Sequence, residues 1–149
     1  MSIGQLCNRT VIVTTPDTSI ADAAKLMREH HVGDLVVVDE EQRPVALVTD
    51  RDIVVCVVAL GLDAEAVTVA DVSRRSVETI REDADFLDTL THMRRCAVRR
   101  MPIVDSAGVL QGILTLDDAL ELIGEAVNNL VVLVSREVGL EEEHAVSTA

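Results

Sequence analysis

The 149-residue sequence holds one aromatic side chain, Phe86, and no tryptophan or tyrosine. A chain so poor in aromatics lacks the platforms on which single-stranded bases stack. Basic residues are also scarce: 13 Lys and Arg stand against 26 Asp and Glu, for a net charge of −13. That surface repels a phosphate backbone, so nucleic acid is not expected as a partner. The three cysteines, Cys7, Cys56 and Cys96, show no Cys-x-x-Cys spacing. Their odd number, with no leader-like start, points to a reducing, cytoplasmic setting. No apolar run nears the roughly 20 residues of a membrane span. The most apolar short run, "LVVLVS" (130–135), is bounded by Asn128, Asn129 and Arg136.

Catalytic signatures are missing too. There is no P-loop, no Gly-x-Gly-x-x-Gly and no Gly-x-Ser-x-Gly elbow, and no nucleophile stands beside a base. No catalytic residue is assigned and no enzyme activity is expected. His30 and His31 are adjacent, so they point in different directions, with His92 elsewhere in the chain. No Cys or carboxylate completes a compact ligand set around them, and they read as solvated residues at a helix end. No metal site is expected. The acidic stretch "EDADFLD" (82–88) lacks the spacing and glycine of a calcium loop.

What the chain does have is apolar material, 48% of its residues, and an internal repeat. Displacing the chain by 66 residues aligns 3–54 with its second half without gaps. Identities include Arg9/Arg75, Asp22/Asp88, Met27/Met93, Val38/Val104, Asp39/Asp105, Thr49/Thr115 and Asp52/Asp118. Two copies are too few for a solenoid and imply a pseudo-two-fold arrangement. Each copy predicts a strand ("TVIVT", "SVETI"), a helix with apolar residues at helical spacing, a hairpin, and a second helix, a β-α-β-β-α unit. Each hairpin ends in an apolar run followed by Thr-x-x-Asp. Such a motif at a strand-to-helix junction caps the helix. It also leaves a carboxylate, an acceptor suited to hydroxyl donors, beside a helix N-terminus.

The doubled unit, "VVVD" and "PIVD" before a turn, and apolar-apolar-Thr-x-x-Asp at its end resemble a tandem pair of cystathionine-β-synthase (CBS) domains of the stand-alone bacterial type, over residues 3–124. The resemblance implies an α/β (α+β) fold of two pseudo-two-fold related repeats with a long C-terminal helix. The boundaries read as 1–62 and 63–126 for the repeats and 127–149 for a helical extension. It implies a regulatory module binding an adenosine-containing ligand between the repeats: AMP, ADP or ATP, with S-adenosylmethionine or NAD behind them, and no required cofactor. Carried over residue by residue, a preferred cleft would use Ile113, Thr115, Asp118, Arg99 and Arg100, with Cys7, Thr10, Ile12 and Val32 at its adenine end. A weaker cleft would use Leu47, Thr49, Asp52, Ser73, Ser76 and Val98. The ranking rests on Arg99-Arg100 standing where the first copy has Gly33-Asp34, and on Gly112 standing where it has Ala46. The alternative function is a structural or interaction dimer with vestigial clefts.

From Asp117 to about Val138, Leu120, Ile123, Val127, Leu130 and Val134 recur at helical spacing, while Leu122, Ala126, Val131 and Leu133 lie off that stripe. A helix apolar on more than one face must bury more than one. The surplus predicts a homodimer, whose downstream partner the sequence does not name. Beyond Leu140, "EEEHAVSTA" reads as a frayed tail.

Overall fold

A computed structural model describes residues 1–73 and 76–147, with side chains described through residue 137. Arg75, matched to Arg9 in the repeat, lies outside the described residues, as do Thr148 and Ala149. Met1–Leu114 form one compact unit and Thr115–Ala149 a second. The first repeat contains β1 (Val13–Thr14), α1 (Ile20–His30), β2 (Asp34–Val38), β3 (Pro44–Thr49) and α2 (Asp50–Ile53), which continues as a π-helical turn, Val54–Val58. A linker carries α3 (Val69–Val72). The second repeat contains β4 (Ile80–Arg81), α4 (Phe86–Cys96), β5 (Arg100–Val104), β6 (Leu110–Thr115) and α5 (Leu116–Ser147). Two three-stranded sheets result, ordered β1-β2-β3 and β4-β5-β6. The mixed α/β fold of two β-α-β-β-α repeats is therefore present.

β2 shows why its sequence, "DLVVV", does not alternate. Leu35 and Val37 pack into the core of the first repeat with Ile20, Ala23, Met27, Ala46 and Val48. Val36 and Val38 point the other way, against Ile113 of the second repeat. A strand buried on both faces reads as a continuous apolar run.

The first strand of each repeat is shorter than its apolar stretch, and proline explains where each is cut. Val36 donates its N–H to the Ile12 carbonyl at 3.2 Å. Its counterpart is Pro102, which has no N–H, so β4 begins only where Ile80 pairs with Ile103. Residues 76–79 of "SVETI" are left outside the strand. At the other end, Glu82 donates to the Val104 carbonyl at 2.9 Å, whereas its counterpart Pro16 cannot donate.

The opening turns of the repeats are exchanged. Displaced by 66 residues, Ile3–Gln5 corresponds to Val69, Ala70 and Asp71 of α3, at the end of the linker. Ile3 N–H donates to Ala84 O (2.8 Å) and Gly4 N–H to Glu82 O (2.9 Å), both at the entrance to α4. Val69 N–H donates to Thr18 O (2.8 Å) and Ala70 N–H to Pro16 O (2.9 Å), at the entrance to α1. These are the same two bonds displaced by 66 residues. Ile3 and Val69 are both fully buried. The N-terminal segment goes on to pair with β6, where Asn8 and Ile113 exchange two 2.9 Å backbone bonds.

α5 is a 32-residue helix to Ser147. It passes through Leu140, beyond which a frayed tail was expected.

The exchanged segment also accounts for Gly112. A Cβ there would stand 2.5 Å from Cys7 Sγ and 2.9 Å from the Asn8 carbonyl oxygen. Gly112→Ala should therefore destabilise the chain by about 1–3 kcal/mol, as overpacking does. Chemical denaturation measures this. The reciprocal change, Ala46→Gly in the buried part of β3, should cost less, about 0.5–1 kcal/mol.

Candidate functional site

Thr49 ends β3 with extended backbone and caps α2. Its hydroxyl oxygen accepts the Asp52 N–H at 3.1 Å. Asp52 Oδ2 accepts both the Thr49 N–H and the Thr49 hydroxyl at 2.9 Å. Oδ2 is thus fully engaged, while Oδ1 has no hydrogen-bond partner among the described residues. Thr115 and Asp118 repeat this arrangement in the second unit, with bonds of 3.1, 2.7 and 3.1 Å. A third Thr-x-x-Asp escaped the sequence reading: Asp71 Oδ2 accepts the Thr68 N–H (2.9 Å) and hydroxyl (2.8 Å) at the start of α3. It was missed because its repeat counterpart, Ser2 to Gln5, is not Thr-x-x-Asp. Capping is therefore common to all three motifs, and a site needs more than the motif.

The first Thr-x-x-Asp has more. Thr49 and Asp52 line a cavity of about 470 Å³ with Leu47, Cys56, Val72, Ser73, Ser76, Val77, Glu78, Val98 and Arg100. β3 and the turns after it supply one wall. Val72, Ser73, Ser76, Val77 and Glu78, with Val98 and Arg100 where the chain enters β5, supply the rest. All six residues assigned to the weaker cleft, Leu47, Thr49, Asp52, Ser73, Ser76 and Val98, are among its lining. The Ser73 hydroxyl is buried and has no partner among the described residues, an orphan that a ligand's polar atom would satisfy.

Arg100 lies here too, rather than apart from these residues as the sequence reading had it. Its Nε donates to Asp34 Oδ1 at 2.7 Å. The two side chains are partly buried, with 36% and 18% of their surface exposed. Asp34 opens β2 and Arg100 opens β5, so they are the same position of the two repeats. The premise for ranking the clefts was a positive charge at one and a negative charge at the other. It does not hold for this pair, because the two charges meet each other.

The other residues of the expected preferred cleft can each be placed by their own contacts. Cys7 is buried beneath Gly112, and burial pushes its thiol up from the ordinary range. Thr10 is exposed and donates its backbone N–H to Asn8 Oδ1 at 2.9 Å. Ile12 and Val32 pack against the core of the first repeat, and Ile113 against Val36 and Val38. Arg99 is exposed. Thr115 and Asp118 belong to the second unit.

The histidines divide. His30 and His31 are exposed at the end of α1, where His31 adopts a left-handed backbone. His92 is different. Its Nε2 lies 3.6 Å from Glu78 Oε2 and 3.7 Å from Cys96 Sγ. The sequence signal for this cluster is the one-turn spacing of His92 and Cys96, not the adjacent pair His30-His31.

The comparisons with known proteins agree with this architecture. The CBS domain family model matches twice, at residues 3–59 and 69–125. An uncharacterized protein of Methanopyrus kandleri is 35% identical over 122 residues, 82% of this chain and 62% of that protein. Hypoxic response protein 1 of Mycobacterium tuberculosis is 33% identical over 110 residues, 74% of this chain and 76% of that protein. A crystal structure of Hypoxic Response Protein I with two coordinated zinc ions superposes with a TM-score of 0.72 at 28% identity, covering 81% of this chain and 98% of that one. A CBS domain pair in complex with 5′-methylthioadenosine and S-adenosyl-L-methionine gives 0.72 at 26% identity, covering 85% of this chain and 98% of that one. With two matched copies over most of its length, the chain belongs to the CBS domain family, as a tandem pair.

Proposed function

We propose that this CBS pair is a regulatory ligand-sensing module, not a catalyst, that binds an adenosine-containing ligand of the AMP, ADP or ATP class in the cavity beside Thr49 and Asp52. The observation that carries the reading is the open acceptor on Asp52: the cap consumes Oδ2, and Oδ1 remains for the vicinal hydroxyls of a ribose. Arg100 spends Nε on Asp34, which leaves its terminal nitrogens to donate to a phosphate. Leu47, Val72, Val77 and Val98 offer an apolar bed for the base. The volume falls within the range of small-molecule sites, roughly 300–1,000 Å³. The neighbouring pair solved with two adenosine derivatives supports the same class and keeps S-adenosylmethionine among the candidates. A ligand touching both repeats favours one packing of them over another, and that population shift is the signal.

The module works as a homodimer in this reading. Leu120, Ile123, Val127, Leu130, Val131, Leu133 and Val134 are each 41–63% exposed along α5. An apolar surface so continuous marks an interaction face. No helix among the described residues is long and apolar enough to cross a membrane, which favours a protein partner. The same exposed face favours the second reading, an interaction protein whose cavity is vestigial.

Three measurements separate these readings. In a thermal-shift screen against AMP, ADP, ATP, NAD and S-adenosylmethionine, a specific ligand at a hundredfold excess over Kd should add about 2.7 kcal/mol of stability. A flat screen favours the interaction protein. Asp52→Asn should weaken calorimetric affinity by roughly 1.5–3 kcal/mol, the worth of hydrogen bonds to a charged group, while costing only about 1 kcal/mol of fold stability as a lost cap. Unchanged affinity returns Asp52 to capping alone. Replacing Leu130 and Val134 with glutamate should give a monomer in sedimentation; a wild-type monomer at micromolar concentration rejects the dimer.

A further inference from the structure

The geometry points to a zinc-class divalent metal site formed by Glu78, His92 and Cys96, at the edge of the cavity, whose lining it shares through Glu78. His92 and Cys96 stand one turn apart on α4, an 11-residue helix that presents them on one face without any ordering by the metal. Glu78 comes from the segment that Pro102 keeps out of β4. One ligand atom from each of the three lies within 4.8 Å of the others.

The spacing matches a coordination shell. With Zn–N and Zn–O near 2.0–2.1 Å and Zn–S near 2.3 Å, the edges of a tetrahedron are about 3.3–3.6 Å. The His92–Glu78 and His92–Cys96 separations are 3.6 and 3.7 Å. Two edges are therefore formed to within a few tenths of an ångström, and only the Glu78–Cys96 edge has to close. Glu78 can close it by a change of rotamer, because its side chain is 51% exposed. Imidazole, thiolate and carboxylate together select a borderline ion such as Zn²⁺ over Mg²⁺ or Ca²⁺, which take oxygen. Three protein ligands leave a fourth position for water.

One contact opposes the metal. Arg95 Nη2 lies 2.8 Å from His92 Nδ1. Arginine only donates, so Nδ1 accepts, and a neutral ring then carries its proton on Nε2, where the metal would bind. Metal binding must move that proton and displace the exposed Arg95. Removing the guanidinium should therefore tighten binding, an outcome that a mere hydrogen-bonded cluster does not produce.

The test titrates the full chain, freed of metal by chelation, with Zn²⁺ by calorimetry and with Co²⁺ by absorption. We expect one Zn²⁺ per chain and a thiolate-to-cobalt charge-transfer band. His92→Ala and Cys96→Ser should each weaken Zn²⁺ at least about tenfold, Cys96→Ser should abolish the band, and Glu78→Gln should weaken binding without unfolding because the residue is exposed. Arg95→Ala should bind more tightly than the wild type. Circular dichroism checks that each variant is folded. The proposal is overturned if the wild type takes up no stoichiometric metal, or if folded His92→Ala and Cys96→Ser bind as the wild type does, which would place the ion elsewhere. Either result stands independently of whether the cavity binds adenosine.

Discussion

The exchange of opening turns is the constraint on which the site depends. Ile3 completes the entrance to α4 and Val69 the entrance to α1, through the same pair of backbone bonds displaced by 66 residues. Each residue is fully buried in the repeat that it does not begin. The linker is thereby pinned against the first repeat at one end while it leads into the second. Val72, Ser73, Ser76, Val77 and Glu78, on and after that pinned segment, line the cavity. Loosening the turn would release most of one wall.

The second organising contact is the Asp34–Arg100 pair. A duplicated sequence offers the same position twice, and here the two copies carry opposite charges that neutralise each other. Breaking such a partly buried pair from one side leaves a charge uncompensated, which costs far more than the pair itself contributes. In the proposed reading, a phosphate approaching Arg100 would meet a guanidinium already oriented by Asp34. It does not need to order a free side chain.

The repeat and the fold class were legible because they follow from a fixed period, and six of the cavity's lining residues because the family resemblance carries them over, whereas Cys56, Val72, Val77, Glu78 and Arg100 were not assigned to it. Leu47, Thr49, Asp52 and Val98 sit at positions that the 66-residue displacement marks. The strand in "DLVVV" was legible as one arm of a hairpin, but its burial on both faces was not drawn from the missing alternation. What the sequence left hidden is partner choice. Nothing local to Ile3 says that it docks on residues 82–84 instead of its own repeat, and nothing local to Asp34 says that it faces Arg100. The strand ends were in principle readable from Pro16 and Pro102, since each removes one ladder donor. The cluster of Glu78, His92 and Cys96 was half legible: the one-turn spacing on α4 is in the sequence, but Glu78 joins only through the tertiary fold.

Whether the cavity beside Asp52 holds a ribose is decided by a crystal structure of the full chain grown with AMP. Nucleotide density is expected among Leu47, Ser73 and Val98, with both ribose hydroxyls within hydrogen-bond distance of Asp52 Oδ1 and the phosphate against the terminal nitrogens of Arg100. An empty cavity at saturating AMP, or a nucleotide bound away from Asp52, would contradict it.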